Sequence, residues 1–417
     1  MHIYLISVII AYLIITGFGY WLDFLNLSHL KRNGSVIPPE FEEEIDQALL
    51  TKTRDYTVEQ TRFGFVTSVF NNIVFLLFIF VILNIYNSWV ISLEYSFILS
   101  GLIFFLLITY AEALISLPFG LYSTFKIEKR YGFNTMTWRL WVTDTLKSLL
   151  ISTILMGMLI SIGLLLIQKS PDLWWLWVWS FFLFFGIFMM YISPYVIEPL
   201  FHKFTPIEDE ELESGIRALM EKAGIKVSRV FKMDASKRTK HTNAYFTGIG
   251  KVKRIILYDT LIEKMDRAEV ISVLAHEAGH WKKKHILKHI VATEVIALIT
   301  IYISYELIQG NFLIDFLNIS ESSFFAKLVA LGFISSVVSF PFGPVFHYFS
   351  RKHEKEADKY SYDLTGNSES MISALVKLSK DNLSNLHPHP LYALFHYSHP
   401  PVLQRIRSIR EMAGDSH

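Results

Sequence analysis

The sequence predicts a mainly α, polytopic membrane protein: seven transmembrane helices with an α+β block in the cytosol. Three observations carry this. The 417 residues are 52% hydrophobic and only 18% charged, against roughly 25% charged in soluble domains. Apolar stretches near the roughly 20 helical residues needed to cross about 30 Å of hydrocarbon recur along the chain. Lysine and arginine are concentrated in alternate loops, as the positive-inside rule describes.

Taken in order, the apolar windows are 3 to 22, 63 to 86, 95 to 117, 148 to 168, 173 to 197, 288 to 309 and 328 to 348. The first lacks a basic start and a small-residue cleavage site, so it reads as an anchor rather than a signal peptide. Glu112, Glu294 and Glu306 fall inside windows, and ionisable groups at that depth face a protein interior or a water-filled cavity unless they mark segment edges. The loops 23 to 62 and 118 to 147 carry ten lysines and arginines, whereas 87 to 94 and 310 to 323 carry none. The N-terminus is therefore expected outside or in a lumen, with the 198 to 287 connection and the 351 to 417 tail in the cytosol. The expected division is 1–197 (helices 1–5), 198–287 (cytosolic domain), 288–350 (helices 6–7) and 351–417 (C-terminal segment). A net charge of +1 argues against a nucleic-acid partner. With no cysteine, any metal must be held by His, Asp or Glu.

The texture changes after residue 198. Residues 207–223 have an acidic start and amphipathic spacing, which predicts a helix, while "RVFKMDAS", "NAYFTGI" and "RIILYDTLI" suit strands. The turn at "GIGKVK" predicts a hairpin between the last two. A helix follows from about Asp266 through "VISVLAHEAGHWKKKH".

That stretch carries the chemistry. Positions i and i+4 share a helix face, so His276 and His280 can present imidazoles to one ion, with Glu277 a residue further round. Chance produces such a match about 0.05 times in a chain of this composition, and the competing reading is two ordinary helix histidines. Gly279 inside the helix costs roughly 1 kcal/mol against alanine, which suggests close packing. A catalytic zinc needs a third ligand and an open position. The metzincin continuation requires Gly at 283 and His at 286, where this chain has Lys283 and Ile286. "SRKHEKEADKYSYDL" offers Glu354 as ligand and Asp358 to orient a ligand histidine, with Glu356 facing elsewhere; the alternative is a solvated charged helix start. Lys282 to Lys284 read first as an interface anchor and second as an attractor for a substrate carboxylate. His285 and His289 repeat the i, i+4 spacing without an intervening glutamate and read as chamber-facing or structural.

The pieces "EKRYGFN", "PLFHKFTP", "NAYF", "RIILYDTL", "HEAGH", "RKHEKEAD" and "SHPPVLQRI", in this order, resemble the Ste24 type of CAAX prenyl protease, an M48 metallopeptidase, over nearly the whole chain. The resemblance implies seven helices around an intramembrane chamber, closed on its cytosolic end by a gluzincin-like zinc endopeptidase domain. It implies one Zn2+ per chain on His276, His280 and Glu354, with Glu277 as base and Asp358 behind the ligands. It places His399 and Arg405 near the scissile carbonyl, and Asn243, Ala244 and Tyr245 on the edge strand that pairs with substrate. The implied partners are a prenylated or otherwise membrane-tethered peptide and the bilayer, and a monomer suffices. A bacterial plasma membrane and an ER membrane fit equally. Two other readings stay open: a quality-control protease of the related HtpX type, and a non-catalytic transporter or receptor whose structural metal would need a fourth protein ligand.

Overall fold

A computed structural model describes residues 3–247 and 252–414. The first five long helices are α1 (Ile3–Asn33), α2 (Gln47–Ser92), α3 (Phe97–Tyr131), α4 (Trp138–Lys169) and α5 (Trp174–Phe201). Each matches one of the first five predicted windows and outruns it at the C-terminal end, although α3 and α5 begin at Phe97 and Trp174, just after the starts expected at 95 and 173. The 46 residues of α2 span about 69 Å at 1.5 Å per residue, so one end stands well clear of any bilayer.

The small domain follows as β1 (Phe204–Pro206), α6 (Glu210–Lys222), β2 (Lys226–Met233), β3 (Ala244–Thr247), β4 (Val252–Tyr258), α7 (Asp259–Lys264) and α8 (Arg267–Lys282). The sheet order is β1-β2-β4-β3, with β2 and β4 parallel and the other pairs antiparallel. The expected pairing of "NAYFTGI" with "RIILYDTLI" is present as β3 on β4, while residues 248–251 of its turn lie outside the described residues. Two expectations need correction. "DTLI" is helical, because the Asp259 carboxylate accepts the N–H groups of Ser236 and Thr260 and ends the strand. "DAS" leaves β2 because Asp234 turns to accept the Lys203 N–H at 2.7 Å. Strand β1 is an addition too short to carry a period. Ile255 and Leu257 of β4 are fully buried against Leu212, Ile216 and Met220 of α6 and Leu274 and Ala278 of α8.

The chain returns through α9 (His285–Gln309), the short α10 (Phe312–Leu317), α11 (Phe324–Val338) and α12 (Phe342–Thr365), and ends in α13 (Ser368–Asp381), α14 (Pro390–His396) and α15 (Val402–Ala413). Helix α9 contains the 288 to 309 window. The 328 to 348 window is corrected: α11 and α12 bend by 60° at the break before Phe342. Pro341 has no N–H to continue a helix and disfavours α geometry in its predecessor. Six helices among the described residues are thus long and apolar enough to cross a membrane, and the bent pair is the seventh candidate.

One end of the bundle is tied to the small domain and the C-terminal helices. Phe41, Ile45 and Leu50 pack with Met371, Leu375, Ile406 and Ile409, Arg238 pairs with Asp144 at 2.9 Å, and His241 lies 3.4 Å from Glu128. At the other end, Asn84 and Asn87 donate to the carbonyls of Asn318 and Glu321.

Candidate metal centre

Helix α8 starts on a reciprocal cap, Asp266 accepting from Glu269 N–H and Glu269 accepting from Asp266 N–H. Glu269 is buried and also meets Lys377 at 2.6 Å, which fixes α13 beside it. The close packing expected at Gly279 is present: a Cβ there would stand 3.0 Å from Ala357 Cα and 3.1 Å from Ala357 O on α12. This approach brings the two motif-bearing helices together, with Ser361 Oγ donating to Ser272 O at 3.0 Å.

The residues predicted to hold a metal converge. His276 Nε2 and His280 Nε2 are 3.1 Å apart, His280 Nε2 is 3.2 Å from Glu354 Oε1, and His276 Nε2 is 3.4 Å from Glu354 Oε2. Ligands about 2.0–2.2 Å from one tetrahedral ion stand about 3.3–3.6 Å apart, so this triangle fits a single cation. Glu354 Oε2 is buried and accepts no hydrogen bond, and its cationic neighbour, Arg405 Nη1, stands 3.7 Å away, so a bound cation would complete its surroundings. Among the described residues these three form the candidate metal group, with no fourth His, Asp or Glu closing it. An imidazole set with one carboxylate suits zinc and leaves a coordination position open.

Behind the triangle, His276 Nδ1 lies 2.8 Å from Asp358 Oδ1, which fixes the proton on Nδ1 and leaves Nε2 free. Arg405 grips the same carboxylate with two bonds, 2.6 Å to Oδ1 and 2.9 Å to Oδ2. Arg405 therefore lines the cavity while most of its fork is committed to Asp358, so its first task is to hold the support of His276. Burial works against charge on His276, yet the Asp358 and Glu354 acceptors outweigh it and push its pKa up to about 9. The site attracts positive charge. Burial raises the Glu277 carboxyl above the ordinary glutamate value, against the pull of His276 and His280. His399, delivered by the loop that follows α14, places Nε2 3.3 Å from Glu354 Oε1, and burial lowers its pKa. Arg351 secures that loop by donating to the carbonyls of Ala393, Leu394 and Tyr397.

A cavity of about 240 Å³ runs from Glu277, His399 and Arg405 to Asn243 and Ala244, floored by Leu261, Met371, Leu375 and Leu378. β3 is the free edge of the sheet. Tyr258 N–H donates to Asn243 O, and because hydrogen-bonded pairs alternate, Ala244 and Phe246 turn their main-chain groups outward. The Ala244 N–H is taken by Asn243 Oδ1 at 2.8 Å. Tyr245 is on the strand, but its hydroxyl donates to Glu198 on the far face, so its side chain does not reach the cavity. Sequence reasoning placed substrate along the strand through Phe246 but did not single out that residue's outward main-chain groups or the apolar floor from α13; the strand's alternation could have found the first. Lys282 donates to Ala223 O at 3.1 Å and so links α8 to the end of α6.

Comparison with known proteins agrees with this geometry. The family model described as CAAX prenyl protease N-terminal, five membrane helices, matches residues 26–203, and that of peptidase family M48 matches residues 206–413. CAAX prenyl protease 1 of Saccharomyces cerevisiae is 32% identical, covering 91% of this chain and 89% of its own length. The Dictyostelium discoideum homolog of that protease is 31% identical over 97% and 96%. An uncharacterized metalloprotease of Bacillus subtilis is 30% identical over 73% and 72%. The crystal structure of S. mikatae Ste24p superposes with a TM-score of 0.89 at 29% identity, covering 98% of this chain and 99% of that one. The five-helix match disfavours the HtpX type, and the peptidase match disfavours a non-catalytic transporter or receptor. With both family models matched and relatives aligned over almost their full length, the chain belongs to the Ste24-type CAAX prenyl proteases of peptidase family M48.

Proposed function

We propose that this multi-pass membrane metalloprotease is a zinc endopeptidase that cuts near the C-terminus of prenylated CAAX-type or other membrane-tethered peptides. The observation that carries the reading is where the triad stands. His280 is five residues from His285, the first residue of membrane-capable α9, and a second cavity of about 280 Å³ joins His276, Glu277 and His280 to Ile286 and His289 on that helix. A peptide anchored in lipid thus has a short path to the cavity along β3.

His276, His280 and Glu354 would hold the ion, which when bound supplies Lewis acidity to the attacking water and the scissile carbonyl. Glu277 accepts the proton of the attacking water and passes it to the leaving nitrogen. His399 stands on the open side of Glu354 and donates to the developing oxyanion. Arg405 acts through Asp358, holding His276 in its tautomer. The outward main-chain groups of Ala244 and Phe246 align the peptide as an added strand, with Asn243 holding the Ala244 N–H. In functional terms 1–197 and 288–350 are the membrane frame, and 198–287 with 351–417 build the site, facing the cytosol, in a single chain.

Purified full-length protein assayed on one CAAX peptide with and without its prenyl group tests the substrate class. Faster turnover of the prenylated form is expected; equal turnover of both removes prenylation from the reading, and turnover of neither removes the class.

A further inference from the structure

His280 has its own support, and it comes from two residues with no part in the expected site. Lys284 adopts a left-handed backbone (φ 57°) between α8 and α9, which folds the buried His285 back onto the preceding turn. His285 Nδ1 lies 3.1 Å from His280 Nδ1, and His285 Nε2 lies 3.1 Å from Glu356 Oε2. Glu356 therefore faces the site rather than elsewhere. His353 stacks on the His285 ring at 4.0 Å and 13° and meets His289 Nε2 at 3.3 Å, which fixes the ring plane.

The protons along this chain can be assigned. An imidazole that gives its Nε2 lone pair to a cation carries its proton on Nδ1, and that N–H needs an acceptor. The atom facing His280 Nδ1 is His285 Nδ1. A neutral imidazole accepts at Nδ1 when its own proton is on Nε2, and the atom facing His285 Nε2 is a carboxylate oxygen of Glu356. Every donor then meets one acceptor, in one direction, each N–H donating away from the metal position toward Glu356. We propose that His285, oriented by Glu356, is the positioning residue that sets the tautomer of the metal ligand His280, as Asp358 does for His276. Helix α12 thereby supplies one ligand, Glu354, and through Asp358 and Glu356 the supports of the other two.

The inference rests on His280 being a metal ligand, so zinc affinity of the purified full-length protein, measured by chelator competition, is the readout. His285→Leu is expected to bind zinc roughly 10 to 100-fold more weakly. His285→Asn, whose Oδ1 stands where Nδ1 stood, recovers most of that loss, and Glu356→Ala added to His285→Leu brings no further loss. A merely structural role predicts a lower thermal midpoint in the chelator-treated protein and equal zinc loss in the Asn and Leu variants; that result, or wild-type affinity in His285→Leu, overturns the proposal. If His285→Leu does not fold, Glu356→Ala decides, because Glu356 is partly exposed on α12: weaker zinc supports the relay and unchanged zinc overturns it. His280→Ala is the separate control, and full zinc retention there would overturn the metal site itself.

Discussion

Adjacent residues of one helix are given different chemistry by what packs on them. His276 faces the carboxylates of Asp358 and Glu354, surroundings that favour a positive charge, whereas burial raises the Glu277 carboxyl above the ordinary glutamate value; the first draws a cation and the second strengthens a base. Glu277→Gln is expected to keep the fold and the bound zinc and to lose turnover by several orders of magnitude; peptide cleavage measured beside zinc content checks this, and near-normal activity would refute the mechanism. Glu354→Ala is expected to lose most of the zinc, because among the described residues Glu354 is the carboxylate grouped with both histidines. Asp358→Ala is expected to weaken it by roughly 10 to 100-fold, and elemental analysis at graded chelator concentrations separates the two. The H-E-x-x-H spacing made the first three positions legible. Nothing in the sequence linked Glu356 to His285, which are 71 positions apart.

Helices α8 and α12 form the site only because Gly279 lets them touch. Gly279→Ala would gain roughly 1 kcal/mol of helix propensity, but its methyl group meets the Ala357 backbone at 3.0 to 3.1 Å, which cannot rotate away. A net loss of about 1–3 kcal/mol is expected for such overpacking, with weaker zinc because the ligands separate; a thermal midpoint at or above wild type would remove the packing explanation. The junction between the small domain and α3 has a pH dependence. His241 is raised above its ordinary value first by its hydrogen bond to Glu128, against burial, with Asn382 assisting and Lys264 opposing; Lys264 itself pairs with Asp381 at 3.2 Å. A raised folded value means this contribution is fully present below about pH 6.5 and is lost as pH rises through the raised value. The thermal midpoint should therefore fall more steeply between about pH 6 and about pH 8 in the wild type than in His241→Gln. Parallel slopes would exclude the junction as the cause.

At the scale of the molecule, the loops 34 to 46 and 128 to 134 both reach the small domain or the C-terminal helices, as the pairs Lys380 to Glu44 (3.0 Å), Arg407 to Glu40 (2.9 Å) and His241 to Glu128 (3.4 Å) record. Segment 128 to 134, which carries Lys129 and Arg130, thus shares one end of the bundle with His276, His280 and Glu354, the end at which the positive-inside rule expects the cytosol. Glu112 and Glu306 are exposed on long apolar helices and Glu294 is half-buried; a carboxylate facing lipid costs several kcal/mol. A water-filled space among the helices removes that cost. Single cysteines at 112, 294 and 306, in a chain with none of its own, should all react with a hydrophilic thiol reagent in native membranes. Failure of all three in folded variants would remove the water-filled space.

What the sequence determined by itself was whatever depends on local period and composition: the apolar windows, the amphipathic helix that became α6, the pairing of β3 with β4, and two histidines placed on one face by a 3.6-residue repeat. Those are short-range consequences of backbone geometry and solvent. Tertiary structure alone decided the rest. The break before Phe342 became a 60° bend, the Tyr245 side chain turned to Glu198 while the main-chain groups of Phe246 faced the free edge, and Arg405 was committed to Asp358. Glu356 reached His285 across two helices. Each of these depends on which distant surfaces meet, and a contact across more than forty residues of chain leaves no mark on local spacing.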